Sequence, residues 1–136
     1  MSDQRSSIEN TLNKCAYCFD VGPIEAIGDC FAVDAAMTFV DASPISGREA
    51  VSAEMARRRN VSRYQDGSRP WHVITNVYVA EQDEREATVY TYWMFFIVDA
   101  DGKSNLVSLG CYEDVFTNDG DNWLIQSRVE TLIGRS

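Results

Sequence analysis

The first segment of the chain carries apolar residues at helical spacing. They recur at i, i+4, i+7 and i+11, which places them along one face of a helix: Ile8, Leu12, Cys15 and Phe19. Ser6 and Glu9 fit a capping box at the start of this helix, because each side chain can bond to the backbone amide of the other residue. Gly22 and Pro23 interrupt the pattern, so we predict that the helix ends near residue 20.

Three shorter elements are predicted between the first helix and residue 60. Pro23 suits the first turn of a helix, where its missing N–H is not needed, and predicts a short helix that runs to about residue 31. Residues 35–40 are mostly apolar and predict a strand. Ser46 and Glu49 fit a second capping box, which predicts a helix that runs to about Arg59.

The chain changes character after Pro70. Four long runs are rich in β-branched and aromatic residues, as strands are: 71–79, 87–98, 106–116 and 123–133. Short turn-forming segments separate these runs, for example residues 99–102 with the sequence DADG. Connections this short join only antiparallel neighbours, so the four runs predict a meander. Three helices and an early strand followed by this meander indicate an α+β fold.

The strand predicted at residues 87–98 is apolar on both faces. Alternate residues on one face are Val89, Thr91, Trp93, Phe95 and Ile97. The opposite face carries Tyr90, Tyr92, Met94, Phe96 and Val98. A sheet with one face in water would alternate apolar and polar residues, so both faces of this strand are predicted to be covered. Helices cover one face, and we expect the other to form a homo-oligomer, a dimer or a trimer, because large exposed aromatic patches are rare on monomers.

Length and charge restrict the partners. A chain of 136 residues fits a single domain, 1–136, and we expect residues 1–6 to be a flexible N-terminal end. The net charge of −9 repels phosphate backbones and anionic lipid, so neither nucleic acid nor a membrane is an expected partner. No stretch reaches the roughly 20 apolar residues of a membrane span, and the polar N-terminus is unlike a signal peptide. We therefore expect a cytoplasmic protein.

The four cysteines do not predict a metal site. Cys15 and Cys18 form a C-x-x-C, which occurs in redox pairs and in zinc sites. The motif lies inside a predicted helix, the other two cysteines stand alone, and His72 is the only histidine. We expect reduced, mostly buried thiols that pack as small hydrophobic residues, and no metal.

Several spaced segments resemble the SnoaL-like branch of the nuclear transport factor 2-like superfamily. They follow one another in the family's order and lie on predicted elements: YCFDVG at 17–22 with FAVDA at 31–35, HVITN at 72–76, GCYED at 110–114 and WLIQSR at 123–128. The resemblance covers nearly the whole chain, from about residue 8 to residue 133. It implies a curved, cone-shaped antiparallel sheet whose open end is closed by the helices, which leaves an interior pocket.

The resemblance also implies candidate catalytic residues. Asp20 and His72 fall where the family's dehydratases and dehydrochlorinase place an Asp–His dyad, and Arg128 falls where some of them place a pocket arginine. In these enzymes a neutral imidazole removes a proton from carbon without a cofactor, which suits a side chain that titrates near neutral pH. The chain departs from those enzymes at Cys15, where they carry a lysine or a tyrosine.

Five further residues are expected to contact the substrate: Tyr17, Ile74, Asn76, Tyr90 and Tyr92. Ile74 and Asn76 share a strand face with His72. Tyr90 and Tyr92 are nearest to the place of a second histidine in scytalone dehydratase. The resemblance thus implies a lyase or isomerase of dehydratase, dehydrohalogenase or cyclase type, acting on a small hydrophobic molecule without a cofactor.

The same residues fit other functions. Asp20 also suits the end of a helix, and Arg128 also suits an ion pair with Asp114 or Glu130. A non-catalytic binding or assembly module of the same fold is compatible with a cysteine at position 15. An accessory subunit of a ring-hydroxylating dioxygenase, which shares the fold, is a third alternative.

Overall fold

The computed structural model describes residues 4–62 and 66–136. In chain order their elements are α1 Gln4–Asp20, a 3₁₀ helix Ile24–Cys30, β1 Phe31–Thr38, β2 Ile45–Ser46, α2 Arg48–Ser62, β3 Arg69–Gln82, β4 Glu86–Val98, β5 Ser104–Asn118 and β6 Trp123–Arg135. The predicted α+β class, with helices first and long strands afterwards, is confirmed. Of the N-terminal end predicted to be flexible, residues 1–3 lie outside the described residues and residues 4–6 belong to α1.

The six strands form one curved sheet that does not close, in the order β2-β1-β6-β5-β4-β3. The strands β3 to β6 form the predicted antiparallel meander. β1 pairs with β6 in parallel, which the sequence analysis did not predict. Parallel neighbours need a long connection, and here it includes α2 and the first three strands of the meander.

The hydrophobic core lies between the helices and the inner face of the sheet. The apolar stripe predicted for α1 is part of this core, with three nearly inaccessible side chains: Ile8, Leu12 and Cys15. The sheet contributes Val89, Phe116 and Ile125, which are fully buried. The hydroxyl of Thr11 donates a 2.7 Å hydrogen bond to the carbonyl oxygen of Trp123, so α1 is also tied to the start of β6.

The early elements differ from the prediction at their ends. α1 begins at Gln4, two residues before the cap predicted at Ser6. The short helix after Pro23 is a 3₁₀ helix, and it ends at Cys30 because Phe31 is already extended, with φ −115° and ψ 145°. β1 therefore begins at Phe31, four residues earlier than predicted.

Within the described residues, no helix is long and apolar enough to cross a membrane.

The predicted cap of α2 at Ser46 is wrong. Ser46 pairs with Ala36 as part of the two-residue strand β2. The next residue, Gly47, has a φ of +96°, a conformation that glycine adopts without steric cost. Its carbonyl oxygen accepts the first helical bond, from the Val51 amide at 3.0 Å, so Gly47 takes the cap position.

Neighbouring strands lie very close to Gly110 of β5, so a substitution there can test the packing of this strand. A Cβ atom there would lie 1.9 Å from the carbonyl oxygen of Thr131 and 2.6 Å from Cζ2 of Trp93. We expect Gly110→Ala to lower the free energy of unfolding by about 3 kcal/mol, measured by urea denaturation, because neither neighbour can move away freely. Gly134→Ala is the matched control, since its Cβ would meet no atom closer than 3.9 Å. Equal losses for both variants would contradict this packing.

Candidate active site

A cavity of about 320 Å³ lies between the helices and the inner face of the sheet. Much of its wall is apolar, with contributions from both layers: Leu12, Phe19, Ile27, Met37, Phe95 and Leu132. The polar groups in the wall include the imidazole of His72, the thiol of Cys15 and the guanidinium of Arg128. A mostly apolar cavity of this size with a few polar groups is typical of a small-molecule site.

The structure brings Asp20 and His72 together. Asp20 is the last residue of α1, and its carboxylate accepts two hydrogen bonds from His72 on β3. One comes to Oδ1 and involves the ring Nδ1 at 2.7 Å, and the other comes to Oδ2 from the backbone N–H at 2.6 Å. A carboxylate interacts unfavourably with the helix dipole at the C-terminal end of a helix, and its burial is also unfavourable. The two hydrogen bonds from His72 help to offset both effects.

The partner of Nδ1 determines the tautomer of the neutral His72 ring. An ionised carboxylate can only accept hydrogen bonds, so Nδ1 must carry the proton that is shared with Asp20. The lone pair is then on Nε2, the nitrogen that a general base uses. The side chain of His72 is 14% exposed, so the ring is reachable although it is mostly enclosed.

Two aromatic rings hold the imidazole in place. Phe19, one residue before Asp20, meets the His72 ring edge-on at 5.0 Å between centroids, and Phe95 on β4 packs against it at 4.9 Å. A smaller cavity of about 190 Å³, which Tyr17 and Asp20 help to line, also reaches His72. Because His72 is part of both walls, it lies between the two cavities.

Arg128 forms a buried ion pair with Asp114. Its Nε donates to Oδ1 at 2.8 Å and its Nη2 to Oδ2 at 2.9 Å, and both side chains are almost completely buried. This bidentate geometry is the strongest that the two groups can form. The guanidinium also lies 3.8 Å above the ring of Tyr112, a cation–π contact. The sequence analysis weighed an ion pair with Asp114 among the roles of Arg128, and the structure contains it.

Burial and charge shift the pKa values in this part of the wall. Burial lowers the pKa of Arg128, but the charge and hydrogen bonds of Asp114, together with the charges of Cys15 and Tyr112, raise that pKa above its ordinary value. Burial also raises the pKa of the Tyr112 phenol well above 10, with the charge of Arg128 as a weaker opposing effect. Arg128 is therefore permanently charged and Tyr112 permanently neutral at physiological pH.

The cysteines are free thiols, and three of them are buried: Cys15, Cys18 and Cys30. Cys15 lines the larger cavity, where Nη1 of Arg128 lies 3.7 Å from its sulfur. A hydrogen bond with the Cys30 side chain lowers the pKa of Cys15 to about 7, burial opposes this shift, and the charge of Arg128 adds to it. The opposite applies to Cys30, whose pKa is raised by the same hydrogen bond and by burial.

Two predicted contact residues lie away from both cavities. Tyr90 and Tyr92 are on the outer face of β4 and are 39% and 55% exposed. Trp93 and Phe95 occupy the inner face of the same strand and line the larger cavity. Since both faces of β4 are apolar, the residue pattern could not decide which of them turns inward.

A bulge turns Asn76 away from the site. β3 has one more residue than β4 between Thr75 and Tyr78, and Asn76 has a φ of +54°. The side chain of Asn76 is exposed and accepts a 3.0 Å hydrogen bond from the Thr75 hydroxyl. Strand alternation, on which its prediction depended, is interrupted at this point. Ile74, before the bulge, does line both cavities.

The predicted contact residues did not include several side chains of the wall, among them Trp93, Phe95 and Tyr112. The signal that identifies two of them is the pairing of β3 with β4, in which His72 lies opposite Phe95 and Ile74 opposite Trp93. Side chains that are directly opposite in a sheet share a face, so both belong to the face of His72. Among residues 4–62 and 66–136, no cluster of three His, Cys, Asp or Glu side chains could hold a metal ion.

Residues 1–129 match the family model of the SnoaL-like domain, and the chain belongs to this family. No curated protein matches the chain in sequence.

Solved structures show the same fold. One is a proposed scytalone dehydratase from Novosphingobium aromaticivorans, with a TM-score of 0.79, 16% identity, and coverage of 97% of this chain and 85% of that chain. Another is an NTF2-like protein with a cystatin-like fold from Novosphingobium aromaticivorans, with a TM-score of 0.82, 19% identity, and coverage of 98% and 84%. A third is the β subunit of a proposed aromatic-ring-hydroxylating dioxygenase from the same organism, with a TM-score of 0.74, 15% identity, and coverage of 96% and 90%. At these identities the likeness shows the fold alone.

The Arg128–Asp114 pair allows a test of the cavity wall. We expect Asp114→Ala to lower the free energy of unfolding by about 3–5 kcal/mol in chemical denaturation, because it leaves the guanidinium buried without a counter-charge. Glu9→Ala is the control, since it removes the exposed Arg5–Glu9 pair and should change stability by less than about 1 kcal/mol. A small effect of Asp114→Ala would mean that water reaches Arg128.

Proposed function

We propose that the chain is a cofactor-independent lyase or isomerase in which His72 is the general base and Asp20 orients it. The observation that carries this proposal is the buried Asp20–His72 pair at the wall of an apolar cavity. The carboxylate keeps the proton on Nδ1, leaves Nε2 basic, and stabilises the imidazolium that forms when Nε2 takes a proton. Proton removal of this kind contributes about 10²–10⁴-fold to a rate.

The proposed reaction is an elimination or an isomerisation that begins at carbon. Nε2 of His72 takes the proton, and the electron pair of the C–H bond forms a carbon–carbon double bond. In an elimination the bond between the neighbouring carbon and the leaving group breaks, and the leaving group departs with that electron pair. A hydroxide leaving group takes the proton from His72 and departs as water, which restores the neutral imidazole. In an isomerisation the proton returns to another carbon. Dehydratase-type elimination is the form that we favour.

The charges of the wall support a small, uncharged, mostly apolar substrate. The enclosed ionisable groups of the wall are already paired, His72 with Asp20 and Arg128 with Asp114. The other charged groups that line the cavity lie nearer to solvent: Arg58, Glu130 and Arg135. A ligand with a net charge would need a counter-charge from the protein, since burying an unpaired charge is strongly unfavourable. The pairing of Arg128 with Asp114 also argues against a direct catalytic role for Arg128. We assign it the positioning of Cys15 and Tyr112, because Asp114 already neutralises its charge.

The base can be tested without knowledge of the natural substrate. The wild type is incubated in D₂O with a panel of small hydrophobic β-hydroxy ketones, and NMR records deuterium at the α-carbon and any unsaturated product. We expect His72→Gln to lower exchange and turnover by about 10³-fold, because glutamine keeps a donor for Asp20 but cannot act as a base. Asp20→Asn should lower both by about 10²-fold, since an amide can donate to Nδ1 and reverse the tautomer.

Tyr92→Phe is the matched control, because this side chain is on the outer face of the sheet. Circular dichroism checks that each variant is folded. If compounds that bind are recovered without deuterium and without conversion, the wild type is a binding module and the proposal is wrong. Equal activity of His72→Gln and the wild type would also refute it.

We also propose that the outer face of the sheet pairs with a second copy of the chain, as a dimer or a trimer. The aromatic patch defined by Tyr78, Tyr90, Tyr92, Leu109 and Val129 is on this face, and all five side chains are at least partly exposed. The rings of Tyr78 and Tyr90 stack at 6.2 Å, which forms a flat surface suited to another sheet. A dioxygenase-like role would instead place a larger partner here.

The cytoplasmic location is still a prediction from the sequence.

Self-association is measured by sedimentation equilibrium of the untagged chain. We expect Tyr92→Lys to weaken it by about 30-fold in Kd, because an aromatic contact near the centre of an interface contributes about 2 kcal/mol. Tyr17→Lys is the control, since Tyr17 is equally exposed, 58% against 55%, but lies on α1. A monomeric wild type, or an equal effect of both variants, would contradict the proposed interface.

A further inference from the structure

The wall of the larger cavity contains a phenol whose hydroxyl has no partner. Tyr112 lies on the inner face of β5, lines the cavity and is 7% exposed. Its hydroxyl forms no hydrogen bond with the described residues. The inaccessible unpaired atoms include Oγ1 of Thr91 and Nε1 of Trp93 but not the phenol oxygen, so this oxygen is reachable from the cavity. A mostly buried O–H without an acceptor is unfavourable, and a bound ligand can supply one.

Two neighbours hold the ring of Tyr112 in place. The guanidinium of Arg128 lies 3.8 Å from the centroid of the ring, and the indole of Trp93 packs against it at 6.1 Å with the planes tilted by 31°. Arg128 is itself fixed by its two hydrogen bonds to Asp114. A phenol that is already positioned loses little freedom when it binds a ligand, which favours a specific hydrogen bond.

Two nearby carboxylates do not take the hydroxyl of Tyr112. Both oxygens of Asp114 accept hydrogen bonds from Arg128. Glu130 lies opposite Tyr112 in the pairing of β5 with β6, and its Oε1 accepts a 3.2 Å hydrogen bond from the N–H of Val40. Burial raises the pKa of the Tyr112 phenol, so the phenol keeps its proton and can donate it to a ligand.

Tyr112 and His72 face different parts of the cavity. His72 lies opposite Phe95 and Phe95 lies opposite Ser108, in one row across three strands. Tyr112 is four residues further along β5 than Ser108, about 14 Å at the usual rise of a strand. A ligand that contacts both His72 and Tyr112 therefore presents opposite ends of its skeleton to them.

We propose that Tyr112 is a specificity-determining residue, which donates a hydrogen bond to a carbonyl oxygen at the end of the ligand remote from His72. The arrangement fits small, uncharged, cyclic ketones, because much of the wall is apolar and the phenol supplies a donor. The proposal rests on the larger cavity being the ligand site of the proposed function. It does not require that His72 converts the ligand.

The test compares two ligands of nearly the same shape, 1-tetralone and tetralin, which lacks the carbonyl oxygen. Each is titrated into the full chain by isothermal titration calorimetry. We expect Tyr112→Phe to raise the Kd of 1-tetralone by about 10-fold, the effect of one lost hydrogen bond, and to leave the Kd of tetralin unchanged. Tyr92→Phe is the matched control, because it removes a phenol from the outer face of the sheet and should change neither Kd.

Infrared spectroscopy detects the hydrogen bond itself. The carbonyl stretch of bound 1-tetralone, isotopically labelled at the carbonyl carbon, should lie at lower frequency in the wild type than in Tyr112→Phe, because a hydrogen bond weakens the C=O bond. A purely structural role of Tyr112 would not produce this difference. Circular dichroism checks that each variant is folded.

The same measurement on His72→Gln separates this proposal from the proposed reaction. The variant should retain the frequency of the wild type, so a failure of the proposed elimination leaves the assignment of Tyr112 intact. The assignment is overturned if 1-tetralone does not bind, or if Tyr112→Phe binds it as tightly as the wild type. An identical carbonyl stretch in these two proteins would also overturn it.

Discussion

The structure depends on one carboxylate that accepts two hydrogen bonds from a single residue. Asp20 ends α1, and both of its oxygens are used by His72, one by the ring and one by the backbone. The backbone bond joins the helix to the edge strand β3, and the ring bond fixes the imidazole relative to that strand. The same interaction therefore closes the cavity and determines the tautomer of the candidate base. A change at Asp20 affects architecture and chemistry together.

The second constraint is the strand register, which decides which side chains lie on the inner face of the sheet. His72 pairs with Phe95 across β3 and β4, while Asp114 pairs with Arg128 across β5 and β6. Once His72 faces the helices, its cross-strand pairing with Phe95 places Phe95 on the same face. Gly110 leaves room for the ring of Trp93, because any side chain there would collide with it. The cavity wall is thus a consequence of register more than of any single motif.

Much of this arrangement could be predicted from the sequence. Helical spacing identified α1, and short turns identified the meander, because both signals are local. The dyad itself came from the family resemblance, since no local pattern connects Asp20 with His72. Asn76 could not be placed correctly, because a single extra residue in β3 interrupts the alternation from which its direction was inferred. The parallel pairing of β1 with β6 depends on contacts between distant segments, which composition and periodicity do not record.

The two faces of β4 show a different reason why the residue pattern does not predict the whole site. Both are apolar, so hydrophobicity indicates that each is covered but not by what. The structure turns Trp93 inward and Tyr92 outward, and the difference between indole and phenol then has a physical meaning. An exposed phenol can keep its hydroxyl in water, whereas a buried indole must find an acceptor for its N–H. The N–H of Trp93 is an exception, since it is buried without a partner among the described residues.

The base and the thiol of the cavity are not independent of each other. A charge on His72 favours the thiolate of Cys15, and Coulomb interactions of this kind are stronger where water is excluded. When His72 takes a proton from a substrate, the positive charge that it gains would stabilise the Cys15 thiolate in the same cavity.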